Sequence, residues 1–194
     1  MADILAAFAV VFLAELGDKT QLVALTLAGR YPAVKVLAAL GAAIAVLQTL
    51  SVTAGAVISE ALPDDAISVG AGVLFLGFAV WTWRSAAADE PDAEADAEAA
   101  VAAAGRRAGL VGVAVAFFLA ELGDKTMLTT AGLAADRGLV PVWVGSFGAM
   151  VAATAVAVTA GRALTRRVSP DLLRRIGAGA FAVVGVGTLV SVAL

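Results

Sequence analysis

Phe12-Leu13-Ala14-Glu15-Leu16-Gly17-Asp18-Lys19-Thr20 returns letter for letter, 106 residues later, as Phe118-Leu119-Ala120-Glu121-Leu122-Gly123-Asp124-Lys125-Thr126. The same interval carries Val52-Thr-Ala-Gly55 to Val158-Thr-Ala-Gly161, and Gly70-Ala-Gly72 finds a counterpart in Gly177-Ala-Gly179. Nine identical letters with matches on the same side of both copies mark an internal duplication. Each copy puts two carboxylates and an ammonium inside a stretch that is otherwise apolar, and that contradiction organises the rest of the reading.

Of the 194 residues, 61% are hydrophobic, and the mean hydropathy is +0.97. Six apolar spans can be read, at about residues 4–27, 34–58, 66–83, 108–133, 140–164 and 172–194. About 20 apolar residues suffice for a helix to cross the hydrocarbon. The expected fold is an all-α integral membrane protein of six transmembrane helices. Residues 1–84 form the first three-helix repeat, 85–107 an acidic linker and 108–194 the second repeat. Pro32, Pro63, Pro141 and Pro170 fall at or just before span starts, where a missing amide donor does little harm. The first span lacks a basic leader and is interrupted by Glu15, Asp18 and Lys19, so it is expected to stay as an uncleaved anchor.

An odd number of spans per repeat requires the second copy to enter the membrane from the opposite side, as in inverted-repeat transporters. Basic residues set the orientation. Arg30, Lys35, Arg84, Arg106, Arg107, Arg162, Arg166, Arg167, Arg174 and Arg175 fall on one side, against Arg137 alone on the other. The rich side is expected to be cytoplasmic, with both termini outside in a cell-membrane setting. Trp81, Trp83, Tyr31 and Trp143, near span ends, are expected to be interfacial anchors.

The net charge of −3 and pI of about 4.9 arise from one run, Asp89, Glu90, Asp92, Glu94, Asp96 and Glu98, so no nucleic-acid partner is expected. That run reads as a solvated tether, partly helical or disordered. Neither cysteine nor histidine occurs, which removes disulfides, thiolate metal sites, cysteine nucleophiles and histidine bases. Any metal chemistry is therefore expected to use oxygen ligands, and any proton handling near neutrality carboxylates, Lys or Tyr.

A charge at a helix centre costs roughly 2.5–3.5 kcal/mol even on the lenient insertion scale, so six exposed to lipid would cost on the order of 15–20 kcal/mol. Glu15, Asp18, Lys19, Glu121, Asp124 and Lys125 must therefore face one another or a wet cavity. On a helix, the i,i+3 spacing puts the two acids of each copy on one face, with the lysine on its flank. Gly17 and Gly123 permit close helix approach or local unwinding that frees carbonyls as ligands. Two copies meeting across a pseudo-two-fold axis carry a net −2, which balances one divalent cation. Oxygen ligands of this kind suit calcium, manganese or magnesium. Glu15, Asp18, Glu121 and Asp124 are the candidate metal ligands; Thr20, Thr126, Gln48 and Thr154 are supporting candidates. Structural salt bridges alone would leave the uncancelled acid in each copy unexplained.

Two copies of Glu-x-Gly-Asp-(Lys/Arg)-(Thr/Ser), each opening a three-span repeat, resemble the signature of the GDT-type (transmembrane protein 165-like) calcium/manganese:cation antiporter family. Glu15, Gly17, Asp18, Lys19 and Thr20 match it fully, as do Glu121, Gly123, Asp124, Lys125 and Thr126. The resemblance implies exchange of manganese or calcium for protons, with the motif acids as the binding site and no resident cofactor. The alternatives are an exporter of small organic cations or amino acids, an intramembrane enzyme, and a non-transporting scaffold. The first would need a site shaped by aromatic or apolar side chains. The second would need inequivalent acids where these are symmetric. The third leaves the charged clusters without a role.

Overall fold

The computed structural model describes residues 1–15, 31–85, 93–167 and 170–193, and every regular element among them is a helix. In chain order these are α1 (Ala2–Glu15), α2 (Ala33–Ala61), α3 (Asp64–Ser85), α4 (Ala93–Glu121), α5 (Lys125–Arg137), α6 (Leu139–Arg167) and α7 (Pro170–Ala193). The rest of the first motif, Gly17, Asp18, Lys19 and Thr20, lies outside the described residues. So does the start of the linker, residues 86–92.

Four helices, α2, α3, α6 and α7, contain segments long and apolar enough to cross a bilayer. Helix is the natural state there, because each amide must find its partner within the segment when no water is at hand. Val46, Val57, Val73, Val80, Val183 and Val186 are exposed, giving the bundle an apolar exterior that suits lipid. Pro32 caps α2, and Pro170 opens α7, where an amide donor is dispensable. Asp64 and Asp65 in the first turn of α3 and Arg84 in its last turn complement the helix dipole.

One expectation changes, and one alternative is decided for the described residues. The span read as residues 108–133 is not one helix: α4 stops at Glu121 and α5 starts at Lys125. From Ala93 onward the linker is helical, since α4 begins there and continues to Glu121 apart from a kink at Gly109 (φ 62°, ψ −151°). Alanine and glutamate favour helix even without an apolar face, and Val101 in this segment is buried.

The 106-residue interval reappears in the helix bounds. It carries α2 onto α6 at both ends and the start of α3 onto the start of α7. In the third helix the structure moves the sequence match by one residue. Ala71, Gly72, Phe75 and Ala79 are buried on α3, and Gly177, Ala178, Phe181 and Gly185 on α7. That pattern keeps the interval of 106, whereas Gly70-Ala-Gly72 against Gly177-Ala-Gly179 requires 107. A one-residue shift turns a helix face by about 100°, so the buried face decides the register.

Helices α3 and α7 pack against each other along their lengths. Arg175 lies 5.4 Å over the Trp83 ring, Phe181 stacks with Phe75, and Gly185 meets Gly72. The partners ascend one helix as they descend the other, so the pair is antiparallel. Trp143 does more than face an interface: its indole donates to Thr49 Oγ1 at 3.1 Å and its ring stacks on Phe147.

Candidate functional site

The second motif is a helix break. Gly123 has φ +84°, a conformation that glycine takes without the penalty a Cβ would bring. Asp124 follows in an extended conformation (φ −68°, ψ 168°) at the N-cap of α5, its amide donating to the Glu121 carbonyl at 3.2 Å. Glu121 and Asp124 therefore do not share one helix face as their spacing suggested. One ends α4 and the other precedes α5. Glu121 is buried, and Asp124 and Lys125 are half-buried. The break leaves the last carbonyls of α4 and the first amides of α5 beyond the reach of intrahelical bonds.

Across the bundle, Glu15 is the last described residue of α1 and is only 4% exposed. The Thr126 hydroxyl, in the first turn of α5, donates to Glu15 Oε1, joining two side chains 111 positions apart. The two copies of the motif thus meet, carboxylate of the first to hydroxyl of the second.

Close backbone packing holds these helices together. A Cβ on Gly55 of α2 would lie 2.3 Å from the Ala131 carbonyl of α5. One on Gly145 of α6 would lie 2.4 Å from the Ile4 carbonyl of α1, and one on Gly177 of α7 would lie 3.0 Å from the Leu13 carbonyl. Small residues let the helices approach this closely. At the far end of α5, Arg137 pairs with Asp3 and with Asp136 at 3.4 Å, and Ser68 donates to Asp136 at 3.0 Å, tying α5 to α1 and α3.

Beside the break lies a small cavity. Leu47, Gln48 and Ser51 line it from α2, Glu121 from α4, Thr126 and Met127 from α5, and Met150 from α6. Gln48 is 1% exposed, and its amide nitrogen has no hydrogen-bond partner. The Ser51 hydroxyl donates to the Leu47 carbonyl, which leaves its lone pairs available as acceptors. The Thr129 and Thr130 hydroxyls on α5 are buried without partners. Thr154 is only partly buried, donates to the Met150 carbonyl, and is not in the cavity lining.

The structure thus brings Glu15, Thr126, Glu121 and Gln48 to one region, while Asp18, Lys19 and Thr20 lie outside the described residues. Among the described residues no group of three or more acidic side chains converges on one point. Ser51, Thr129, Thr130, Met127 and Met150 were not singled out by the sequence. For Ser51 a signal existed, since it stands three residues after Gln48 on an otherwise apolar helix.

A family model described as the divalent cation/proton antiporter GDT1 matches residues 3–90 and 109–193, leaving most of the helical linker between the matched segments. A Vibrio cholerae protein named "Putative manganese exporter" is 32% identical over 181 residues, covering 92% of this chain and 86% of its own. A GDT1-like protein of Synechocystis is 32% identical over 178 residues, 84% of either chain. Protein PAM71, chloroplastic, of Arabidopsis thaliana is 31% identical over 210 residues; the alignment spans 96% of this chain and 56% of that protein. No solved structure matches the chain significantly.

Proposed function

The chain belongs to the GDT1 family of divalent cation/proton antiporters, and from that premise we propose that it exchanges manganese or calcium for protons at a carboxylate site between its two motif copies. The observation that carries this reading is the Thr126–Glu15 hydrogen bond. It joins the two copies of a duplicated acidic motif inside an apolar bundle.

Glu15, Asp18, Glu121 and Asp124 are the ligands in this reading, with Gln48, Thr20 and Thr126 in support. The C-terminal end of α4, the negative pole of its helix dipole, lies at the break and favours a cation. While the cation is bound it keeps the carboxylates ionised. When it leaves, two protons restore the neutrality it provided, so two protons exchange per divalent ion with little net charge moved. Antiparallel packing of the repeat-equivalent helices α3 and α7 supports an inverted arrangement of the halves, with the linker cytoplasmic and both termini outside. Among the described residues no aromatic side chain lines the cavity, which weighs against a carrier of organic cations or amino acids.

The test is uptake into sealed vesicles holding purified protein, under an imposed proton gradient with the membrane potential clamped. Manganese or calcium uptake should follow the gradient, and Glu15→Gln, Asp18→Asn, Glu121→Gln and Asp124→Asn should each cripple it while inserting normally. Uptake indifferent to the gradient, or normal transport by all four variants, would overturn the reading.

A further inference from the structure

The chain has three methionines, Met1, Met127 and Met150, and both internal ones line the cavity beside Glu121. They arrive from different helices, α5 and α6. The Gly123 amide donates to Met127 Sδ at 3.3 Å, which holds that sulfur at the helix break. Met150 is 3% exposed. At the duplicated positions the first half has Gln21 and Ile44, so neither thioether is a relic of the repeat.

A thioether is a neutral, polarisable, soft donor. It offers little to calcium or magnesium, which bind hard oxygens, and more to a transition metal that accepts some covalency. The geometry points to Met127 and Met150 as a sulfur face of the cation site that favours manganese, and softer ions still, over calcium. This deepens the antiporter reading and rests on it. Methionine also fills irregular gaps in cores, and substitution separates the two roles. Leucine conserves the volume and so preserves packing, but it cannot donate a lone pair.

The experiment measures binding of manganese, cadmium and calcium chlorides, each alone, to the detergent-solubilised full chain. It compares wild type with Met127→Leu, Met150→Leu and the double variant. Metal-free thermal melting reports whether packing is intact. In the double variant cadmium affinity should fall roughly tenfold or more and manganese affinity several-fold, while calcium changes by less than about twofold. Unchanged manganese-to-calcium and cadmium-to-calcium ratios in all three variants would overturn the sulfur face while leaving the antiporter reading intact. Should a leucine variant melt early, Met127→Gln, with an oxygen at the end of a chain of similar length, must still lose cadmium preferentially. If it binds cadmium like wild type, the inference is wrong. A wild-type chain that binds none of the three metals would overturn the antiporter reading and this inference together.

Discussion

Phe75 and Phe181 stack with ring centroids 6.5 Å apart, and the 106 positions that separate them in sequence are the interval by which one half of the chain repeats the other. A residue and its own duplicate thus touch at the seam between α3 and α7. The same seam brings Gly72 against Gly185, where small residues let two backbones approach.

That seam should be intolerant of added volume. A Cβ on Gly185 would lie 2.9 Å from the Gly72 carbonyl, whereas one on Gly187 meets nothing within 4 Å. Gly185→Ala should therefore lower stability by about 1–3 kcal/mol, and Gly187→Ala should leave it near wild type. Thermal melting in detergent compares them; equal melting of the two variants would contradict the close approach.

The Thr126 hydroxyl offers a test of the contact between motifs. Thr126→Ser keeps the donor to Glu15, and Thr126→Val keeps the shape without it. A hydrogen bond to a charged group contributes about 1.5–3 kcal/mol. Vesicle uptake should fall roughly tenfold or more in the valine variant, by the conversion of about 1.4 kcal/mol per decade. Serine should restore most of it. Wild-type uptake by the valine variant would make the contact incidental.

Backbone conformation at Gly123 can be separated from packing there. Nothing lies within 4 Å of a Cβ built on it, but its φ of +84° is strained for any other residue. Gly123→Ala should cost about 1–2 kcal/mol, the left-handed penalty, and slow transport. Gly123→Asn should be milder, because asparagine tolerates positive φ. The order glycine, asparagine, alanine in melting temperature is the expected result; alanine above asparagine would mean that the break relaxes to continuous helix.

Orientation can be read with single cysteines, since the chain has none of its own. Ser59→Cys, near the end of α2, should react with impermeant reagents from outside intact cells. Ser85→Cys, at the end of α3, should be protected. The reverse labelling would invert the assignment drawn from Arg137 and its ten counterparts.

Much of the architecture was legible because duplication and hydropathy are written in identities alone. The helix break was not. Glycine permits a left-handed conformation without requiring it, and an uninterrupted helix satisfied the same hydropathy across residues 108–133. The choice depends on what Asp124 and Lys125 meet in three dimensions. Gln48 could be found as a polar residue on an apolar helix, and the structure buries it beside Glu121. Met127 and Met150 could not, since in sequence a methionine reads as one more core residue. Thr154 occupies the position equivalent to Gln48, but its short side chain bonds to its own helix instead. Equivalence in the repeat did not carry over to equivalence in the cavity.

The kink at Gly109 has a mechanical consequence. A continuous rod from Ala93 to Glu121 would deliver every tilt or twist of its outer segment straight to the buried carboxylate. One non-helical residue between them breaks that rod, so the direction of the outer segment is set separately from that of the segment ending at Glu121.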